Sequence, residues 1–263
     1  MASPDPPLLA LPWRRFEGPD VDGRGFSVGG RSLVVKGISN SDEGTAHFTW
    51  DGAVLLAKYL EICEARGDSD AVRGKRVLEL GSGTGLAGLA AAAMMAREVV
   101  LTDLEYALPN LQANIEATLQ LWTLSGVESH PAISAAALDW EAQCPPNFDP
   151  VDVIIAADVV WLDSLVPPLV SILERLTFSA PTANGNAALA APDEAATAGA
   201  RGTTVLLAYQ LRSNATKDLL LRLLAPEFIV KEVDANRHHP DYTAPEISIL
   251  RLRRRQASGD GQA

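Results

Sequence analysis

Glu79, Gly81, Ser82, Gly83 and Asp103 carry the densest concentration of chemistry in the chain. Gly81, Gly83 and Gly85, at alternate positions, let the backbone turn sharply and let a ligand touch the main chain. Asp103, about 20 residues further on, offers two carboxylate oxygens to a ribose diol. Glu79 offers a second carboxylate, which suits a cationic group and would repel a pyrophosphate. Its competing role is a structural hydrogen-bond acceptor at a strand end. Asp158 and Trp161 directly follow an apolar run, and for Asp158 the competing role is capping the next turn. Trp50 and Trp140 add two aromatic faces; a tryptophan at an element end is more often a packing anchor than a ligand contact. His47, His130, His238 and His239 show no metal-ligand spacing with cysteine, so no metal is expected.

These residues require a strand, a turn, a helix and a second strand to position them. Val77, Leu78 and Leu80 form an apolar run that predicts a buried strand. Leu86 to Ala96 predicts a helix whose N-terminal N–H groups face the glycine turn. Val99 to Thr102 predicts a second buried strand with Asp103 at its end. That unit is the nucleoside-binding half of a doubly wound sheet. Gly83-x-Gly85-x-x-Gly88 also fits the dinucleotide fingerprint, which keeps an NAD oxidoreductase as a distant alternative.

The remaining elements follow the same logic. A helix is predicted over 50–65, capped by Thr49 or Asp51. Another spans 105–119, with Asn114 assigned to solvent, followed by a loop over 122–130. A third strand covers 133–138 and is closed by Asp139-Trp140; a fourth covers 151–157, just before Asp158. A helix over 165–178, a strand over 203–209 and a helix over 214–224, capped by Ser213 or Asn214, come next. Strands over 228–233 and 247–252 share a short connection, which favours an antiparallel pair. Arg251, Arg253, Arg254 and Arg255 read as a solvated strand end. Near the N-terminus, Phe26–Val28 and 32–35 flank Gly29-Gly30 and predict a hairpin that covers an edge of the main fold.

In order along the chain, WDGAVLLAKYLE, GKRVLELGSGTGLAGL, VVLTDLE with LPNLQANI, LDW, IIAADVVWLDSLVPPL and AYQLR resemble the seven-strand methyltransferases that use S-adenosyl-L-methionine (AdoMet). The likeness is greatest to the protein-lysine methyltransferases of methyltransferase family 16, whose members act on chaperones, translation elongation factors and an AAA ATPase. It covers roughly residues 49–253. The resemblance implies an α/β fold: a Rossmann-like doubly wound sheet of seven strands with a C-terminal antiparallel pair, here with a small N-terminal β appendage. It implies AdoMet as cofactor, with Trp50 lying along it and Gly81, Ser82 and Gly83 holding its methionine end. Asp103 would take the ribose hydroxyls, Trp140 would flank the adenine, and Ala157 would contribute backbone. Glu79 belongs to the same motif. The family motif Asp-x-x-Tyr stands here as Asp158-Val159-Val160-Trp161. The acid is kept, while the indole supplies an aromatic wall without the phenol oxygen.

The implied reaction is methyl transfer to a lysine ε-amine of a cytosolic protein of the chaperone or translation-factor type, with Asp158 and Trp161 as the catalytic residues. A small-molecule N-methyltransferase and a non-catalytic AdoMet-binding partner protein are the alternatives. The composition fits this frame. The 263 residues are 47% apolar and 21% charged, with a net charge of −11. That charge argues against nucleic acid as a partner and suits a basic protein. Two cysteines, Cys63 and Cys144, form no framework, which favours a reducing, cytoplasmic setting. No apolar run reaches the ~20 residues of a membrane span, so no membrane partner is expected. A monomer is expected. The expected organisation is a tail over 1–13, the β appendage over 14–48, the methyltransferase domain over 49–255 with a low-complexity insertion at 180–202, and a flexible tail over 256–263.

Overall fold

A computed structural model describes residue 16 and residues 26–38, 44–142, 148–178 and 202–256. The expected tail 1–13, the Cys144-Pro145-Pro146 loop, the insertion 180–202 apart from Gly202, and the tail after Gln256 lie outside the described residues.

Two short strands, β1 (Phe26–Val28) and β2 (Arg31–Leu33), pair antiparallel across Gly29 and Gly30. Both glycines have positive φ, 58° and 76°, as a two-residue hairpin turn of matching twist requires. Helix α1 (Asp51–Arg66) follows, then β3 (Arg76–Leu80), α2 (Leu86–Ala93), β4 (Glu98–Asp103), α3 (Leu108–Leu124) and β5 (Ala132–Ala137). The second half holds β6 (Val153–Ala157), α4 (Val166–Leu176), β7 (Thr204–Gln210), α5 (Asn214–Leu224), β8 (Phe228–Glu232) and β9 (Ile247–Arg254).

The main sheet has seven strands in the order β5-β4-β3-β6-β7-β9-β8. β5, β4, β3, β6 and β7 run parallel, while β9 is antiparallel to both β7 and β8. The strand order reverses between β3 and β6, and ligands gather at such a switch point, beyond the carboxyl ends of the strands. Alternation along each strand splits the core into two layers. Val77, Val99, Val153 and Leu206 pack under α1, α2 and α3. Leu78, Val100, Ile154 and Val205 pack under α4 and α5.

Several expectations need correction. Trp122 is not in a loop: α3 runs on to Leu124, and the indole is 1% exposed, donating to the Ser32 carbonyl at 2.8 Å. Asn114 is not solvated but 2% exposed, because an extended N-terminal segment lies over its side of α3. The N-cap of α1 is Trp50, with no side-chain cap; Asp51 instead accepts from the Phe16 N–H at 3.2 Å. Helix α2 stops at Ala93, and Met95 takes a left-handed φ of 63°. The C-terminal arginines are not simply solvated. Arg251 pairs with buried Asp70 at 2.9 Å, and Arg254 pairs with Glu227 at 3.0 Å. At α5 the cap is Ser213, whose side chain accepts from the Thr216 N–H. Among the described residues, no helix is long and apolar enough to cross a membrane.

Candidate functional site

The turn after β3 is built from residues that only glycine can supply. Gly81 and Gly83 have φ of 63° and 54°. A Cβ on Gly81 would lie 2.7 Å from Val159 Cγ1, and one on Gly83 would lie 3.2 Å from the Ala46 carbonyl oxygen. The turn is held from β4: Ser82 N–H donates to the Thr102 carbonyl at 2.9 Å, and Gly83 N–H donates to Asp103 Oδ2 at 2.7 Å. Asp103 Oδ1 accepts from Leu104 N–H at 2.7 Å. Each carboxylate oxygen keeps a further lone pair. Burial raises the Asp103 pKa, and the two amides oppose that rise.

Glu79 points from β3 toward α2, where Gly88 lets it in. Its Oε2 accepts from the Gly88 N–H at 3.1 Å, and the side chain is 2% exposed. A Cβ on Gly88 would lie 2.6 Å from that oxygen. Burial pushes the Glu79 pKa up to about 8, with the nearby Ser82 hydroxyl and the Gly88 N–H pulling the other way. No bond of full geometry joins the buried Ser82 Oγ to a described group.

Asp158 follows β6 with φ of 54°, a left-handed conformation that Asp tolerates better than most residues. Its Oδ2 accepts from Gly52 N–H at 2.7 Å and its Oδ1 from Gln210 N–H at 2.9 Å. Gly52 is obligatory there, since a Cβ would lie 2.5 Å from Oδ2. Asp158 thus ties the first turn of α1 to the end of β7, and does not cap the turn that follows it. Its carboxyl is raised by burial and lowered by these two amides and by Arg212. Trp50 sits at the start of α1, with its Nε1 donating to the Thr45 carbonyl at 3.2 Å. The Arg212 guanidinium lies 5.2 Å from the centre of its ring.

All the residues singled out in the sequence, namely Trp50, Glu79, Gly81, Ser82, Gly83, Asp103, Trp140, Ala157, Asp158 and Trp161, line one cavity of about 430 Å³. It opens at the carboxyl ends of β3, β4 and β6. Sequence reasoning missed part of its wall: Thr45, Ala46 and Phe48 from the segment before α1, and Tyr106 and Leu138 beyond β4 and β5. It also missed Asn114, which binds the back of the turn through the Thr84 carbonyl at 3.0 Å. The signal that could have found it is the four-residue spacing of Asn110, Asn114, Thr118 and Trp122 along α3.

The profile of methyltransferase family 16, described as lysine methyltransferase, matches residues 33–187. Protein N-lysine methyltransferase METTL21A of Danio rerio is 37% identical over 134 residues, which are 51% of this chain and 56% of that relative. The chain therefore spans little more than half the length of METTL21A. EEF1A lysine methyltransferase 3 of Mus musculus is 28% identical over 245 residues, 90% of this chain and 84% of the relative. Among solved structures, the T. thermophilus 16S rRNA N2 G1207 methyltransferase RsmC, in complex with AdoMet and guanosine, has a TM-score of 0.51 at 18% identity. That match covers 87% of this chain and 49% of RsmC, and what the two share is the fold. With a family match over more than half of its length, and with that family's motifs converging on one cavity, the chain belongs to the lysine methyltransferase family.

Proposed function

We propose that the protein uses AdoMet to methylate the ε-amine of a lysine in a protein substrate. The observation that carries this reading is the convergence of the family's motif residues on a single cavity at the switch point of the sheet. The donor set fits AdoMet: a buried carboxyl at Glu79 for a cationic amino acid end, backbone at Gly81–Gly83 for close approach, Asp103 for a ribose diol, and Trp140 as a flat wall. The fit is supported by Gly81, where any side chain would fill the cradle against Val159 and Trp140. The names of the two relatives support lysine in a protein as the acceptor. The absence of a cysteine framework supports a cytoplasmic setting, and the net charge of −11 supports a basic partner.

When bound, AdoMet supplies an electrophilic methyl group on a sulfonium. The chain's own residues have to align the amine, exclude water and favour its neutral form. A free lysine has a pKa of about 10.4, and a partly dry, apolar channel lowers it. Trp161 would wall the acceptor end of the cavity, with Trp50 along the cofactor. Asp158 acts as an anchor there, its two oxygens each accepting from a backbone amide. It fixes the start of α1, and with it Trp50, against β6 and β7.

The test is transfer of labelled methyl from AdoMet into a cytosolic protein extract, with the Asp158→Asn variant alongside. A base-stable label on a discrete protein band is expected. Asp158→Asn turns an amide NH2 toward a backbone N–H, so it should cost roughly tenfold or more in turnover. Label confined to small molecules would overturn the protein substrate, and a fully active variant would remove Asp158 from the mechanism.

A further inference from the structure

Four side chains on one face of α3 replace a neighbouring strand for the N-terminal segment. Asn110 Nδ2 donates to the Lys36 carbonyl at 3.1 Å. Asn114 Oδ1 accepts from Lys36 N–H at 3.0 Å, and its Nδ2 donates to the Lys36 carbonyl at 3.0 Å. Thr118 Oγ1 accepts from Val34 N–H at 3.0 Å and donates to the Val34 carbonyl at 3.1 Å. Trp122 Nε1 donates to the Ser32 carbonyl at 2.8 Å. Alternate backbone positions of an extended segment thus meet successive turns of a helix.

Asn114 differs from its neighbours on this face in reaching a second structure. Its Nδ2 also donates to the Thr84 carbonyl at 3.0 Å, inside the glycine turn. The same residue of the turn is held from the N-terminal side, where Thr49 Oγ1 and Thr84 Oγ1 lie 2.9 Å apart. Both threonines are buried. The turn contains Gly81, Gly83 and Gly85, all with positive φ, so its own backbone has little preference for one shape. Its shape must come from outside bonds, and Asn114 supplies one of them. Holding the segment alone would not require this bond, since Thr118 and Trp122 already do so.

We propose that Asn114 is a positioning residue for cofactor binding. Its carboxamide locks the Gly81–Gly85 turn to the N-terminal segment, so that affinity for AdoMet depends on a segment that lies outside the sheet. The segment's continuation, residues 44–50, contributes Thr45, Ala46, Phe48 and Trp50 to the cavity wall, which gives the linkage its purpose. The proposal rests on the methyltransferase reading given above.

The experiment is calorimetric titration of AdoMet into the full chain and into Asn114→Ala, Thr118→Ala and Thr49→Val, each below its unfolding temperature. Asn114→Ala should bind roughly tenfold more weakly, since the turn loses a buried hydrogen bond. Thr49→Val, which loosens the turn from the other side, should weaken binding in the same direction. Thr118→Ala should lower Tm as Asn114→Ala does, yet bind AdoMet within about twofold of the parent, because it touches only the segment. If Asn114→Ala does not fold, Thr49→Val carries the test, and unchanged affinity in that variant overturns the proposal. Equal affinity in the parent and Asn114→Ala overturns it, as does equal weakening by Thr118→Ala. Failure of the parent chain to bind AdoMet would overturn the methyltransferase reading and this inference with it.

Discussion

Glu79 couples the site to pH. In the unfolded chain its pKa is the ordinary 4.5, and in the folded chain burial pushes it up to about 8. Between those values the folded protein keeps a proton that the unfolded chain has released. Stability from this group is therefore whole below about pH 4.5 and is lost as pH rises toward 8, by up to ~1.4 kcal/mol per pH unit. Asp103 and Asp158 are displaced in the same direction by burial. Unfolding scans of the ligand-free protein between pH 5.5 and 8.5 should show Tm falling as pH rises, and Glu79→Gln should flatten that fall in part. An unchanged slope in the variant would show that Glu79 does not hold its proton. The sequence marked Glu79 because an acid beside a glycine turn stands out from its surroundings. It hid Asn114 because a polar residue on an amphipathic helix is assigned to water by its spacing alone. What removes that water is the extended stretch at Lys36, far away in the chain.

Helix α2 and strands β3 and β4 form the unit on which the site depends, and their closeness is set by one absent side chain. A Cβ on Gly88 would lie 1.9 Å from Leu101 Cδ2 and 2.6 Å from Glu79 Oε2. Gly88→Ala should push α2 off the sheet, weaken the bond from Gly88 N–H to Glu79, and cost about 1–3 kcal/mol in urea unfolding. A loss of less than about 0.5 kcal/mol would mean that the Leu101 side chain simply swings aside. At this scale the sequence was informative. The apolar runs at 77–80, 99–102, 151–157 and 203–209 read as buried strands, and the parallel order followed from the helices between them. The ends of elements were harder. Thr49 and Asp51 are both good capping residues, yet α1 starts at Trp50 with neither in use, because Thr49 turns to Thr84 and Asp51 to Phe16. The last turn of α3 was hidden because Trp122 is followed by Leu124, 79% exposed, and by Ser125-Gly126, which read as a loop.

Across the whole molecule, α1 and the last strand are fastened by charge. The Asp70 side chain is 0% exposed, accepts from the Tyr59 hydroxyl at 2.7 Å and pairs with Arg251 at 2.9 Å. This joins α1 and the loop after it to β9. Arg251→Met would leave the buried Asp70 carboxylate without its ion pair while Tyr59 still donates to it, at a cost of about 3–5 kcal/mol. Adding Asp70→Asn to that variant should recover a large part of the loss, because it removes the stranded charge; failure to recover would mean that the packing of Arg251, not its charge, matters. The position of β9 has a consequence for how the protein is made. Among the described residues β8 pairs with β9 alone, and β9 lies between β7 and β8. A ribosome therefore releases β7 and β8 before the strand that joins them. Until β9 emerges and inserts, the nascent chain carries a bare edge on β7, and the sheet is completed by the filling of a gap between strands already made.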